Sequence, residues 1–201
     1  MAGLVIVTIV EGHGEVKALP ILLRRLVAEL APQAIYEIPP PIRIARSSFL
    51  NRENERERTI KLASLKGGNP KSSMILLLFD ADDDCPAEKV PELLQMSRDV
   101  RDDFPMALTL AKSEYEAWFL AAAESLRGKR SLPPDLERPA DPESVRDAKG
   151  WIKRNRSDQI YSETLDQAAY SALFDFTEAR THSPSFDKFC RDFERLIAPF
   201  I

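Results

Sequence analysis

The chain has 201 residues, 44% hydrophobic and 30% charged, with a formal net charge of −4. That balance suits one folded domain, or one with a small appendage; it excludes a disordered chain and a uniformly basic nucleic-acid coat, while local basic patches stay open. With no apolar run near the roughly 18–20 residues of a membrane span, no basic region before the first apolar stretch, and only Cys85 and Cys190, neither a membrane protein, a signal peptide, a disulfide framework nor a four-ligand zinc site is expected, and the chain reads as soluble and cytoplasmic.

Gly3–Val10, GLVIVTIV, is short, β-branched and almost wholly apolar. That predicts a strand buried on both faces, as in a parallel sheet. Gly12 and Gly14 then punctuate the chain, and Glu15–Leu30 carries an apolar stripe at helical spacing, with Pro20 near the first turn. Ala34–Ile38 and Pro41–Ala45 are weaker strand candidates around a Pro-rich turn. Asn51–Leu65 reads as a helix and Lys66–Ser73 as a loop. Met74–Phe79, MILLLF, predicts a second buried strand. A helix from Pro86 to about Asp103, a short strand at Met106–Leu110 and a helix at Ser113–Leu126 follow. Alternating strands and helices predict an α/β fold, a Rossmann-like, mostly parallel sheet with flanking helices. Leu132–Asp141 reads as a linker or long loop and Pro142–Ile201 as helical. The expected organisation is a sheet domain over 1–130 with a C-terminal helical extension over 131–201 packed on it.

The acids fall where a site would be. Glu11 follows the first strand and Glu15 opens the next helix; Asp80, Asp82, Asp83 and Asp84 follow the second strong strand. Open α/β sheets bind ligands beyond the carboxyl ends of their strands. Carboxylates gathered there repel unless protonated or neutralised by a cation. Oxygen ligands without His or Cys suit Mg²⁺ or Mn²⁺ rather than zinc. On an extended exit Asp80 and Asp82 point the same way, to share one metal or hold two about 4 Å apart. Helix capping or a solvated surface explains such acids equally simply. The Gly12–Gly14 pair resembles a dinucleotide fingerprint, but Lys17 occupies the third glycine position, and Glu11 and Glu15 would repel a pyrophosphate. Gly67–Ser73 is not a phosphate-binding P-loop, because it precedes a strand.

Val10–Glu15, VEGHGE, followed by Leu77–Asp84, LLFDADDD, resembles a Toprim domain. The chain is more similar to a family of small Toprim-like proteins, often known only as domains of unknown function, which resemble the Toprim half of the OLD (overcoming lysogenization defect) nucleases. The resemblance extends over Lys112–Ala121, Asp147–Ile152, Tyr161–Ala169 and Ser183–Phe186, and so over nearly the whole chain. It implies a general acid/base or metal role for Glu11, metal ligation by Asp80 and Asp82, and a further ligand in Glu15. Glu114 and Glu116 follow the last predicted strand, and one of them completes a second metal site in this reading; the competing reading puts Glu116 on a solvated helix face opposite Trp118.

Basic residues cluster between Arg43 and Lys71, Arg46 among them, and over Arg127–Arg156. They suit phosphate contacts, or solvated Glu–Arg pairs on a helix. Lys149 is a candidate to neutralise phosphate charge in a transition state, or to pair with Asp147 or Glu143. His13 is a minor candidate ligand or base. Trp118, Phe119, Trp151, Phe174 and Phe176 read as core. The reading is a Mg²⁺- or Mn²⁺-dependent phosphodiesterase acting on DNA or RNA. The resemblance adds a partner ATPase, since related genes commonly sit beside ATP-binding-cassette or AAA-type ATPases; the chain itself has no Walker motif. A non-catalytic Toprim-like subunit of an ATPase complex and a small-molecule nucleotide binder stand as alternatives.

Overall fold

In the computed structural model, which describes residues 3–201, the first apolar run forms strand β1, Leu4–Val10. Met1 and Ala2, the start of the expected sheet domain, lie outside the described residues. Helix α1, Glu15–Leu30, leads to the short strands β2, Tyr36–Glu37, and β3, Ile42–Arg43; β4 is Ser73–Asp80 and β5 is Met106–Ala111. Every pairing is parallel. The order is β2-β1-β4-β5, with β3 also on β1. The mostly parallel α/β sheet expected from the sequence is therefore present, and β1 and β4, its most apolar strands, are neighbours at its centre.

Strand parity divides the core in two, because successive side chains point to opposite faces. Ile6 and Val10 of β1, with Met74, Leu76 and Leu78 of β4, face one helical layer. Val7 and Ile9, with Ile75, Leu77 and Phe79, face the other. The second face is covered by α2, Arg46–Asn51, α3, Glu53–Gly67, and α4, Pro86–Arg98. The first is covered by α1 and the C-terminal half: α5, Ala117–Ala121, α6, Ala148–Asn155, α7, Ala168–Ser171, α8, Phe176–His182, and α9, Pro184–Ile197.

Three elements differ from expectation. The helix expected over Asn51–Leu65 breaks at Arg52, where the Arg56 guanidinium donates to the carbonyls of Phe49 and Leu50 and so closes α2. The helix expected from Ser113 begins only at Ala117, since the Tyr115 amide donates to the Asp80 carboxylate. Leu132–Asp141 is a loop, but Leu132 and Leu136 are buried in the core shared by α1 and the C-terminal helices. Each such leucine contributes about 1.5–3 kcal/mol on burial, and the extension packs as an integral layer. Trp118 fixes it: its ring lies 5.0 Å from that of Phe186 and its indole N–H donates to Ser185 Oγ at 2.9 Å. Ser183 caps α9, and Glu143 accepts hydrogen bonds from both Ser183 and Ser185. Among the described residues no helix is long and apolar enough to cross a membrane.

A candidate metal centre at the carboxyl edge of the sheet

Parity also sorts the acids. Asp80 ends β4 on the same face as Leu76 and Leu78, toward α1. Glu11, one residue beyond Val10, falls on the opposite face, toward α2. The two expected partners share one carboxyl edge but flank it from opposite sides.

On the α1 side the acids are dense. Asp80 accepts the Tyr115 amide at 2.8 Å. Glu15 accepts the Gly12 amide and, at 3.0 Å, the Gln167 carboxamide; the same Gln167 nitrogen donates to Glu116 at 2.8 Å. Tyr161 donates its hydroxyl to that Glu116 oxygen at 2.7 Å. Glu116 is fully buried, which overturns the solvated-face reading. Burial pushes its pKa up to about 7, against the pull of Lys149, Gln167 and Tyr161. Burial also holds Asp80 well above the usual carboxylate range, with Glu15 and Glu116 acting in the same direction. Lys149 is the cation of this flank, 3.1 Å from Glu163 and 3.4 Å from Glu114. Burial alone would lower its pKa, but Glu116, Glu163, Asp80 and Glu114 more than reverse that, so it stays protonated. Neither sequence-level partner holds it: Asp147 caps α6 and binds Arg154, while Glu143 serves the serines.

On the α2 side one guanidinium serves two of the three acids. Glu11 accepts the Arg46 amide at 3.2 Å. The buried Arg46 guanidinium reaches Asp82 at 3.2 Å and also binds Asp84. Burial raises the Glu11 pKa, opposed by the Arg46 amide. The extended exit expected for Asp80–Asp82 stops short. Ala81 still pairs with Ala111, but Asp82 takes a left-handed φ of 49°, which aspartate tolerates, and its side chain is 73% exposed. Asp80 is held by the Tyr115 amide and Asp82 by Arg46, so the two meet different partners.

Asp80, Ser113, Glu114 and Lys149, with the rim residues Asp82, Asp83 and Arg146, line a cleft of about 300 Å³. Asp83 pairs with Arg146. Glu114 accepts the Ala148 amide at 2.8 Å, so it anchors α6 and Lys149 together. His13 is exposed on its loop.

The donor set fits a hard cation. Glu11 Oε2 and Glu116 Oε2 are buried oxygens without a hydrogen-bond partner. Buried polar atoms are nearly always satisfied, and an exception calls for an explanation such as a catalytic role, a water or an ion; Thr8 Oγ1, Arg46 Nε, Arg56 Nε and Gln167 Oε1 are also buried without a partner. Among the described residues no three His, Cys, Asp or Glu side chains form a preassembled cage; Gly12, Tyr115 and Gln167 amides hold the carboxylates in place instead.

Sequence reasoning passed over Arg46 as one of many basic residues, and Tyr161, Glu163 and Gln167 altogether. The last three arrive on a loop and a π-helical turn, Glu163–Gln167, which aims Glu163 at Lys149 and Gln167 at the acids. The usable signals are the quoted Tyr161–Ala169 segment and Gly14, where a Cβ would overlap the Gln167 carboxamide. The Gly-x-Gly pair makes room for side chains: a Cβ at Gly12 would likewise overlap the Glu15 carboxylate.

No curated protein and no solved structure matches this chain. The family described as "Domain of unknown function (DUF4276)" matches residues 10–194. That span runs from the end of β1 into α9 and takes in every acid of the site, and the chain belongs to this family.

Proposed function

We propose that the protein is a divalent-cation-dependent phosphodiesterase acting on nucleic acid. The observation that carries this reading is the pair of buried, unpartnered carboxylate oxygens, Glu11 Oε2 and Glu116 Oε2, at the strand edge that also holds Asp80. Glu11, Glu15, Asp80 and Glu116 would hold the cation, Mg²⁺ or Mn²⁺ by their all-oxygen chemistry. Once bound, it supplies Lewis-acid stabilisation of phosphoryl charge and a lowered pKa for water. Lys149, kept protonated by the acids around it, places positive charge in the cleft where a phosphate would enter. Glu114 and Glu163 hold that ammonium in place. Glu11, whose proton affinity is raised by burial, takes the proton of the attacking water. Arg146 at the rim meets the substrate backbone, which gives affinity without base readout. A partner ATPase remains part of the proposal through the resemblance to OLD-type proteins.

The test is cleavage of DNA and RNA by the full chain with Mn²⁺, alone and with an ATPase partner. Glu11→Gln is expected to keep the fold and lose on the order of 10²–10⁴ in rate. Lys149→Ala is expected to lose less, and to lower the salt dependence of binding. Undiminished cleavage by Glu11→Gln removes Glu11 from the chemistry. A wild-type chain that binds Mn²⁺ and nucleic acid yet never cleaves becomes the non-catalytic subunit.

A further inference from the structure

We infer that Gln167 is a positioning residue for the cation site: its carboxamide ties Glu15 to Glu116 and sets their spacing. This rests on the metal reading above. One nitrogen donates to Glu15 Oε1 at 3.0 Å and to Glu116 Oε1 at 2.8 Å, and Gln167 is fully buried. Those carboxylates come from α1 and from the β5–α5 turn, while Gln167 comes from the C-terminal half, so three separate parts of the chain meet in one amide. Tyr161 donates to the same Glu116 oxygen, which leaves Glu116 Oε2 as the oxygen without a partner. A neutral amide suits this place. It donates to two acids that repel each other, yet adds no positive charge to compete with a cation. Its seat is built. Gly14 lets the carboxamide approach α1, and the preceding Asp166 is locked by Arg130 at 2.7 Å and Arg156 at 2.9 Å. Partners behind metal ligands typically govern 10–100-fold in metal affinity.

The test is Mn²⁺ titration of the full-length protein, read by the electron paramagnetic resonance of free Mn²⁺. Gln167→Met keeps length and removes both donors. It is expected to bind Mn²⁺ about 10–100-fold more weakly with an unchanged circular dichroism spectrum. In a Glu116→Gln background the same change is expected to cost much less, because the tie acts through Glu116. Gln167→Glu keeps shape and adds a further buried carboxylate; it is expected to lower the metal-free melting temperature and enlarge the rise caused by Mn²⁺. Equal affinity in Gln167→Met and wild type overturns the inference, as does an equal loss in both backgrounds, which marks a structural role. If Gln167→Met does not fold, a Mn²⁺-dependent melting shift in Gln167→Glu no larger than wild type overturns it. Wild-type protein that binds no Mn²⁺ overturns the metal reading itself, and this inference with it.

Discussion

The two flanks of the sheet edge hold acids in opposite ways. On the α2 flank Asp82 and Asp84 are met by the Arg46 guanidinium, and Glu11 by its amide. On the α1 flank Asp80, Glu114, Glu116 and Glu163 lie around Lys149, Glu15 joins them through Gln167, and much of their satisfaction comes from neutral donors: three backbone amides, a carboxamide and a phenol. Neutral donors satisfy hydrogen bonds but leave the charge in place. The α1 flank therefore sets five acids against Lys149 and the α2 flank three against Arg46, and more negative charge is left uncompensated on the α1 flank. Residues two apart in sequence, Asp80 and Asp82, end in these two environments with different chemistry.

The largest effect expected from this contrast is a pH dependence. Glu116 has its pKa raised from 4.5 to about 7, so between those values the folded chain binds more protons than the unfolded one. Its contribution to stability is present below pH 4.5 and is lost as pH rises through about 7. The loss is on the order of 3 kcal/mol at most, at about 1.4 kcal/mol for each pKa unit. Urea unfolding of chelator-treated protein at pH 5 and pH 8 measures it, and Glu116→Gln is expected to flatten the difference. A slope unchanged in that variant would place the proton elsewhere.

A somewhat smaller effect separates the flanks directly. A cation present at about 100 times its dissociation constant stabilises the folded state by about 2.7 kcal/mol. Asp80→Asn is expected to abolish most of the Mn²⁺-dependent melting shift, and Asp82→Asn to keep most of it, since Asp82 is turned to Arg46. Equal losses would mean that Asp82 leaves Arg46 for the cation, and would erase the contrast between flanks.

The smallest effect belongs to the rim. Asp83 and Arg146 form an exposed pair, their side chains 76% and 80% accessible. Such pairs contribute about 0–1 kcal/mol. Asp83→Asn is expected to leave both stability and the Mn²⁺ shift near wild type. Arg146→Ala is expected to weaken nucleic-acid binding at low salt, seen by fluorescence anisotropy. A large change in metal affinity from Asp83→Asn would move the centre outward.

The sequence by itself determined the sheet and its edge. Two short, almost wholly apolar runs, GLVIVTIV and MILLLF, suit a strand covered on both faces by their length and, in the first, its β-branched content. Acids placed directly after such strands emerge at the carboxyl edge, so Glu11 and Asp80 meet there if the two strands are adjacent and parallel, a pairing that only the folded sheet supplies. Which face each acid takes, and what meets it there, was decided by tertiary structure. At a left-handed residue Asp82 is met by Arg46, while Asp80 is met by the Tyr115 amide. Arg46 looked like one cation among many until β3 and α2 carried it to Glu11. Gln167 lies 152 positions from Glu15. Nothing local marks a glutamine as a tie between two carboxylates, because its role exists only once the C-terminal layer has packed through Trp118 and the phenylalanines onto the sheet. Local pattern fixes parity and burial; long-range packing fixes which charges meet.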